Sequence, residues 1–334
     1  MKNHRTNAPR RRIFGASLAL LALLALAVSA STQAQAWPER PIKLLVPFAA
    51  GGNIDVTGRI VAARLSEALG QQFVVENRVG GSGVIATEAV ARAPADGYTL
   101  LWGSTNVIAI VPHITKTSYD PQKDLAPVFA LGSSPQVLLV NSKIPAKTVA
   151  EFVAWVKAQP AKMAYGGGGG AGSASNLIMS QLLKRAGLQM TFVGYRGTAP
   201  ALTDLIAGHI PTTFVPILEA YAQRTNPNVR MLAVSSGKRS PRLPDVPSLA
   251  EAFPGYDAVS WTGMFAPAGT PKAIIDKIAG EMDRALKDPK FLSLIQDNGI
   301  DVLGYDPAKF AEFVKVEYQK WGEAVETAGV KQRR

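Results

Sequence analysis

"KMAYGGGGGAGSASNLIMSQLLKRAG", Lys162 to Gly187, decides the fold. A short apolar lead is followed by five glycines, then small polar residues, then apolar positions at Ile178, Met179, Leu182 and Leu183 with helical spacing, closed by Gly187. A strand, a glycine turn and a helix are predicted. The turn has three readings. As a slack tether it has the usual Gly and Ser composition. As a dinucleotide cradle, Gly167, Gly169 and Gly172 fit GxGxxG, but no acidic residue stands near the ribose position about twenty residues on, and Asp204 is too far. A phosphate loop needs Lys and a hydroxyl residue after its last glycine, whereas Gly172 is followed by Ser-Ala-Ser. As a pocket floor, the turn would let the backbone approach a ligand and direct unpaired helix N–H groups at it, which suits a carboxylate.

The same unit recurs along the chain. "IKLLVPF" (Ile42 to Phe48) leads through "AAGGN" into a helix marked by Ile54, Val61, Leu65 and Leu69 and stopped at Gly70, with "QFVVEN" as the next strand. "EAVARAPADGYTLLWGSTN" gives a helix end, a strand and a small-residue loop, and "VGYRGTAPALTDLIAGH" starts another helix at Thr198 and Pro200. Strands alternating with helices predict α/β layers with mostly parallel sheets. Helix starts are marked by Thr148 with Glu151, Ser248 with Glu251, Thr270 before Pro271 and Asp306 before Pro307. Near the C-terminus Phe310, Val314, Trp321 and Val325 form a core-facing stripe.

Residues 1–36 read as an export signal: a basic head (Lys2, Arg5, Arg10, Arg11, Arg12), an apolar run and "AQA" before the cut near Ala36. "RRRIF" leaves the Sec and twin-arginine routes both open. The expected location is the periplasm. The whole chain has 36 basic and 25 acidic residues; without the five basic residues of the head, 31 face 25, a mild +6. Scattered cations without interleaved aromatics argue against a nucleic-acid partner. With no cysteine there is neither a disulfide nor thiol chemistry, and His113 and His209 lack metal-ligand spacing, so neither metal nor cofactor is expected. No GxSxG elbow occurs and the loops hold no histidine.

Four loops carry the candidate site: Asn53 and Asp55 in the first, Ser104 and Thr105 in "GSTN", Ser175 in the glycine segment, and Thr198 with Ala199 in "RGTAP". Each polar residue also fits an ordinary helix cap. In doubly wound sheets, loops of this kind converge at the carboxyl ends of the strands, where ligands bind.

Segments in order along the chain, "WPERPIKLLVPFAAGGNID", "ENRVGGSGVIATEAVARAPADGYTLLWGS", "YDPQKDLAPV", "GYRGTAPALTDLIAGHI", "LAVSSGKRSPRLPDVPS", "WTGMFAPAGTP" and "KWGEAVETAG", resemble the Bug or TctC-type solute receptors of tripartite tricarboxylate transporters. The resemblance implies an α/β fold of Venus-flytrap type with two lobes, residues 37–135 plus 262–334 and residues 136–261. It further implies a small organic carboxylate held between the lobes, a monomer, integral membrane transporter subunits as partners and no catalysis. The ligand-binding residues it implies are Phe48, Ala50, Gly51, Gly52, Asn53 and Asp55; Gly168, Ala171, Gly172, Ser173, Ser175 and Asn176; and Gly197, Thr198 and Ala199, to which the loop reading adds Ser104 and Thr105. Where the family often has Pro-Thr-Asp this chain has Asn53-Ile54-Asp55, and Asn176-Leu177 replaces the usual His-Leu. The identity of the ligand is therefore not carried over. A periplasmic enzyme using Asp55, or a ligand sensor for a signalling partner, stands as the alternative.

Overall fold

The structure, a computed structural model, describes residues 37–168 and 170–330; the export signal, its cleavage point and Gly169 lie outside the described residues. The elements below belong to the compact unit that begins at Arg40.

β1 (Ile42–Val46), α1 (Asn53–Leu69), β2 (Phe73–Asn77), α2 (Val84–Ala91) and β3 (Thr99–Ser104) open the first lobe. β1 is almost continuously apolar and lies between β2 and β3, parallel to both, as expected of a strand covered on two faces. α1 stops where Gly70 takes a left-handed φ of 68° and its N–H bonds Ser66 O at 3.1 Å. After β3 the chain turns at Thr105 directly into a π-helical turn, Asn106–Ile110, and α3 (Val111–Ile114). The "GSTN" loop is thus shorter than expected. Gly103 and Ser104 still pair with the neighbouring strand, and the apolar run behind them is buried.

β4 (Leu125–Ser134) and β5 (Gln136–Asn141) are separated by Pro135 alone, yet belong to different sheets. The second sheet continues with α4 (Val149–Lys157), β6 (Ala164–Gly168), α5 (Ala174–Ala186), β7 (Thr191–Tyr195), α6 (Thr198–Ala207), β8 (Thr212–Pro216), α7 (Ile217–Ala222) and β9 (Val229–Val234). After α8 (Leu249–Ala252) the chain re-enters the first sheet as β10 (Ser260–Pro267). It ends with α9 (Lys272–Leu286), α10 (Pro289–Asp297), β11 (Asp301–Tyr305) and α11 (Pro307–Ala328). The strand orders are β11-β4-β10-β3-β1-β2 and β7-β6-β8-β5-β9.

Both sheets are mixed, which corrects the expectation of mostly parallel pairing. β10 runs antiparallel to β3 and β4, and β5 antiparallel to β8 and β9. The reason is the double crossing. A chain that leaves one sheet along β4 and returns along β10 must place these two strands in opposite directions.

Three of the four marked helix starts are built as expected. Thr148 Oγ1 accepts from Glu151 N, Asp306 from Lys309 N, and Ser248 with Glu251 forms a full capping box. Thr270 instead donates to Pro267 O, and α9 follows Pro271 uncapped. One apolar core links the lobes: Leu45 and Leu101 share it with Leu138, Phe214, Leu177 and Val325. α11 packs against both β4 and α5, burying Phe310 and Trp321 completely. Each large side chain buried this way contributes about 1.5–3 kcal/mol. Among the described residues no helix is long and apolar enough to cross a membrane.

Candidate functional site

The glycine segment is strand for its first three glycines. Gly166, Gly167 and Gly168 pair in parallel with Val193, Gly194 and Tyr195 of β7. Side chains are excluded there by close approach: a Cβ on Gly166 would lie 2.3 Å from Ile210 Cδ1, and one on Gly168 would lie 2.5 Å from Thr198 N. The absence of side chains therefore seats the start of α6 against β6. The turn proper is closed by Asn176, which donates to Ala171 O and accepts from Tyr165 Oη at 2.5 Å. Ser175 faces Ser173 Oγ at 3.2 Å and Gly168 O at 3.4 Å. Asn176 and Ser175, expected to touch ligand, are 3 % and 5 % exposed and hold the turn. The slack-tether reading fails on these contacts.

The first loop is held from below by Asp55, which is 2 % exposed. Its Oδ2 accepts from Gly51 N at 2.9 Å and Arg59 Nε at 3.0 Å, and its Oδ1 from Asn77 Nδ2 at 2.8 Å. Asn77 also donates to Phe48 O at 2.9 Å, so one network grips both ends of the loop. Burial by itself would raise the Asp55 pKa. The hydrogen bonds from Arg59, Gly51 and Asn77, with the Arg59 charge, outweigh it and hold the carboxyl below its ordinary value. Both oxygens thus have partners within the protein, and Asp55 supports the loop from below.

Three connected compartments run between the lobes. The central one, about 310 Å³, is lined by Phe48, Gly52 and Asn53, by Ser104, Thr105 and Asn106, and by Ala174 and Trp261. Thr105 Oγ1 is taken up by Trp261, accepting from its N–H at 2.7 Å. Ser104 is different: it is 5 % exposed and its Oγ has no hydrogen-bond partner. The starts of α1 and α5 stand on this wall without a side-chain cap, whereas the helices with such caps (α4, α8, α10 and α11) start elsewhere. Unclaimed N–H groups and an unclaimed hydroxyl make a seat for an anion.

A second compartment, about 520 Å³, shares Phe48 and Asn106 with the first and adds Ser82, Ile114, Gly170, Gly172 and Ser173. A third, about 450 Å³, shares Asn53, Ile54 and Ser260 and adds Gly51, Gln136, Glu219 and Asn298. Among the described residues no Lys, Arg or His lines any of the three. Of the expected residues, Ala50, Asp55, Gly168, Ala171, Ser175, Asn176, Gly197, Thr198 and Ala199 do not line these compartments. Ala171 and Asn176 line a separate hollow behind the turn. Residues that the sequence reading missed are Ser82, Gln136, Glu219, Ser260, Trp261 and Asn298. Ser82 carried a signal: between glycines in "GGSG" it adopts φ 57°, a left-handed conformation rare for a side-chain-bearing residue. The histidines lie elsewhere, His113 bonded to Tyr318 O at 2.8 Å and His209 paired with Asp204.

Two mixed α/β lobes joined by two crossings, with a cleft between them, define a solute-binding protein of periplasmic type. Residues 57–330 match the family described as tripartite tricarboxylate transporter family receptor (TctC), and the chain belongs to it. It is 34% identical over 325 residues to a UPF0065 protein in the tcbD-tcbE intergenic region of Pseudomonas sp. strain P51, covering 96% of this chain and 94% of that one. Among solved structures it is similar to R. palustris Rpa4515 with adipate (34% identity, TM-score 0.74, 88% of this chain and 98% of that chain). It is also similar to MatC from Rhodopseudomonas palustris with bound malate (32% identity, TM-score 0.70, 86% and 100%).

Proposed function

We propose that this chain is a periplasmic receptor that captures a small organic carboxylate in the central compartment and passes it to the membrane subunits of a tripartite transporter. The observation that carries the ligand class is Ser104 Oγ, buried and without a partner, beside two uncapped helix starts. A carboxylate oxygen supplies the missing acceptor for Ser104 and for the amides at Gly52, Asn53 and Ala174, and the helix dipoles favour its charge without any basic side chain. The adipate and malate bound by the solved relatives support this class. The lobes, residues 37–135 with 262–334 and residues 136–261, pivot at Pro135 and at the return crossing, and a ligand touching both favours the closed form. The receptor works as a monomer, exported behind the signal read in residues 1–36. It binds without turnover, because Asp55, the acid–base candidate, has both oxygens engaged.

The test is Ser104→Ala, read by calorimetry against mono- and dicarboxylates and by thermal melting. A hydrogen bond to a charged group contributes about 1.5–3 kcal/mol, so carboxylate affinity falls roughly tenfold or more. The melting temperature of the free protein holds or rises, since a buried hydroxyl without a partner is removed. Unchanged affinity would falsify the assignment.

A further inference from the structure

The third compartment has a chemistry opposite to the central one. Gln136 is 7 % exposed, lines the compartment, and its Oε1 has no hydrogen-bond partner. It stands at the first position of β5, in register with Pro216 of β8. Three residues beyond Pro216, in the first turn of α7, Glu219 lines the same compartment. No cation among the described residues pairs with Glu219, and the lining holds no Lys, Arg or His. Glu219 remains exposed on one side, and the partial desolvation on the other raises its carboxyl pKa. A buried amide oxygen left without a donor carries a desolvation penalty, and native proteins leave such groups unpaired where a ligand or water completes them. Gln136 and Glu219 line one space.

We infer that the third compartment receives an N–H donor group, such as an ammonium, at the far end of the captured carboxylate, so that the receptor selects amino carboxylates over dicarboxylates. The inference rests on the carboxylate seat at Ser104. The two compartments share Asn53, Ile54 and Ser260, so one small ligand reaches both. Its carboxylate meets helix amides and the Ser104 hydroxyl, and its ammonium is accepted by Gln136 Oε1 and Glu219. A diacid in the same pose sets its second carboxylate against Glu219, where like charges repel.

Calorimetry at pH 7.5 with three matched series tests this: 4-aminobutanoate, 5-aminopentanoate and 6-aminohexanoate; succinate, glutarate and adipate; butanoate, pentanoate and hexanoate. At one chain length or more, the amino acid is expected to bind at least tenfold tighter than its diacid and its plain acid. Glu219→Gln lowers that preference at least tenfold, Glu219→Lys turns it toward the diacid, and Gln136→Leu weakens the amino acid alone. Ser104→Ala weakens all three series together. Circular dichroism confirms that each variant is folded. A diacid or plain acid that binds as tightly as the amino acid, or a preference unmoved by Glu219→Gln, overturns the selectivity and leaves the carboxylate seat standing. If no compound of the three series binds, the carboxylate seat and this inference both fall.

Discussion

Asp55 shows how a side chain of the right type at the right place in a loop can serve the scaffold. A carboxylate at a helix start reads equally as a cap, a ligand contact or a base. Three donors converging from Gly51, Arg59 and Asn77 decide the matter. Asp55→Ala leaves those donors without an acceptor. With Arg59 half-exposed and its share screened by solvent, the expected loss is on the order of 2 kcal/mol, read as a lower urea midpoint. The folded-state pKa lies below the ordinary 3.8, so this contribution is fully present above that value and is lost as pH falls through the folded one. Asp55→Asn should therefore flatten the acid side of the stability–pH curve below about pH 4. An unaltered acid limb would show that the network carries no linkage.

Glycines govern the second-lobe turn at the scale of the element. Strand character is normally legible through alternation of side chains, and Gly166 to Gly168 have none to alternate. Their pairing with β7 appears only in the folded register. Two neighbouring substitutions separate packing from composition. Gly168→Ala places a methyl 2.5 Å from Thr198 N and 2.7 Å from Gly197 C, both backbone, so α6 must shift, at about 1–3 kcal/mol. Gly170→Ala meets nothing within 4 Å and should change stability by less than about 0.5 kcal/mol. Equal melting temperatures for the two variants would contradict this division. Caps at Thr148, Ser248 and Asp306 were readable because each is a contact between residues two or three apart.

At the scale of the molecule, the cleft wall is wired to the C-terminal helix. Trp261 lines the central compartment, and its indole N–H donates to Glu317 at 2.9 Å, as does that of Trp321 at 2.9 Å. Glu317 is 2 % exposed and also pairs with Lys320. Burial raises its pKa, and the Lys320 charge with the hydrogen bonds from Lys320 and Trp321 works against that rise. Glu317→Leu strands two buried indole donors and should destabilise by about 3 kcal/mol, visible as a melting temperature lower by several degrees. Because Trp261 lines the compartment proposed to hold the ligand, a carboxylate entering it should change tryptophan emission, and Trp261→Phe should remove most of that change. Full retention of the signal in Trp261→Phe would place the responding residue elsewhere.

Local order was written in the sequence: strand and helix periods, glycine stops, most caps, and the ordered motifs that mark the receptor family. These depend on neighbours a few residues apart, and such contacts survive in any one-dimensional reading. Strand direction in the mixed sheets, the inward turn of Asp55, Ser175 and Asn176, and the placing of Gln136 and Glu219 on one compartment became legible only in three dimensions. Each depends on which distant backbone and side-chain groups find partners once two sheets close over one core. The unpaired oxygens that remain, on Ser104 and Gln136, are defined by everything around them that is already paired.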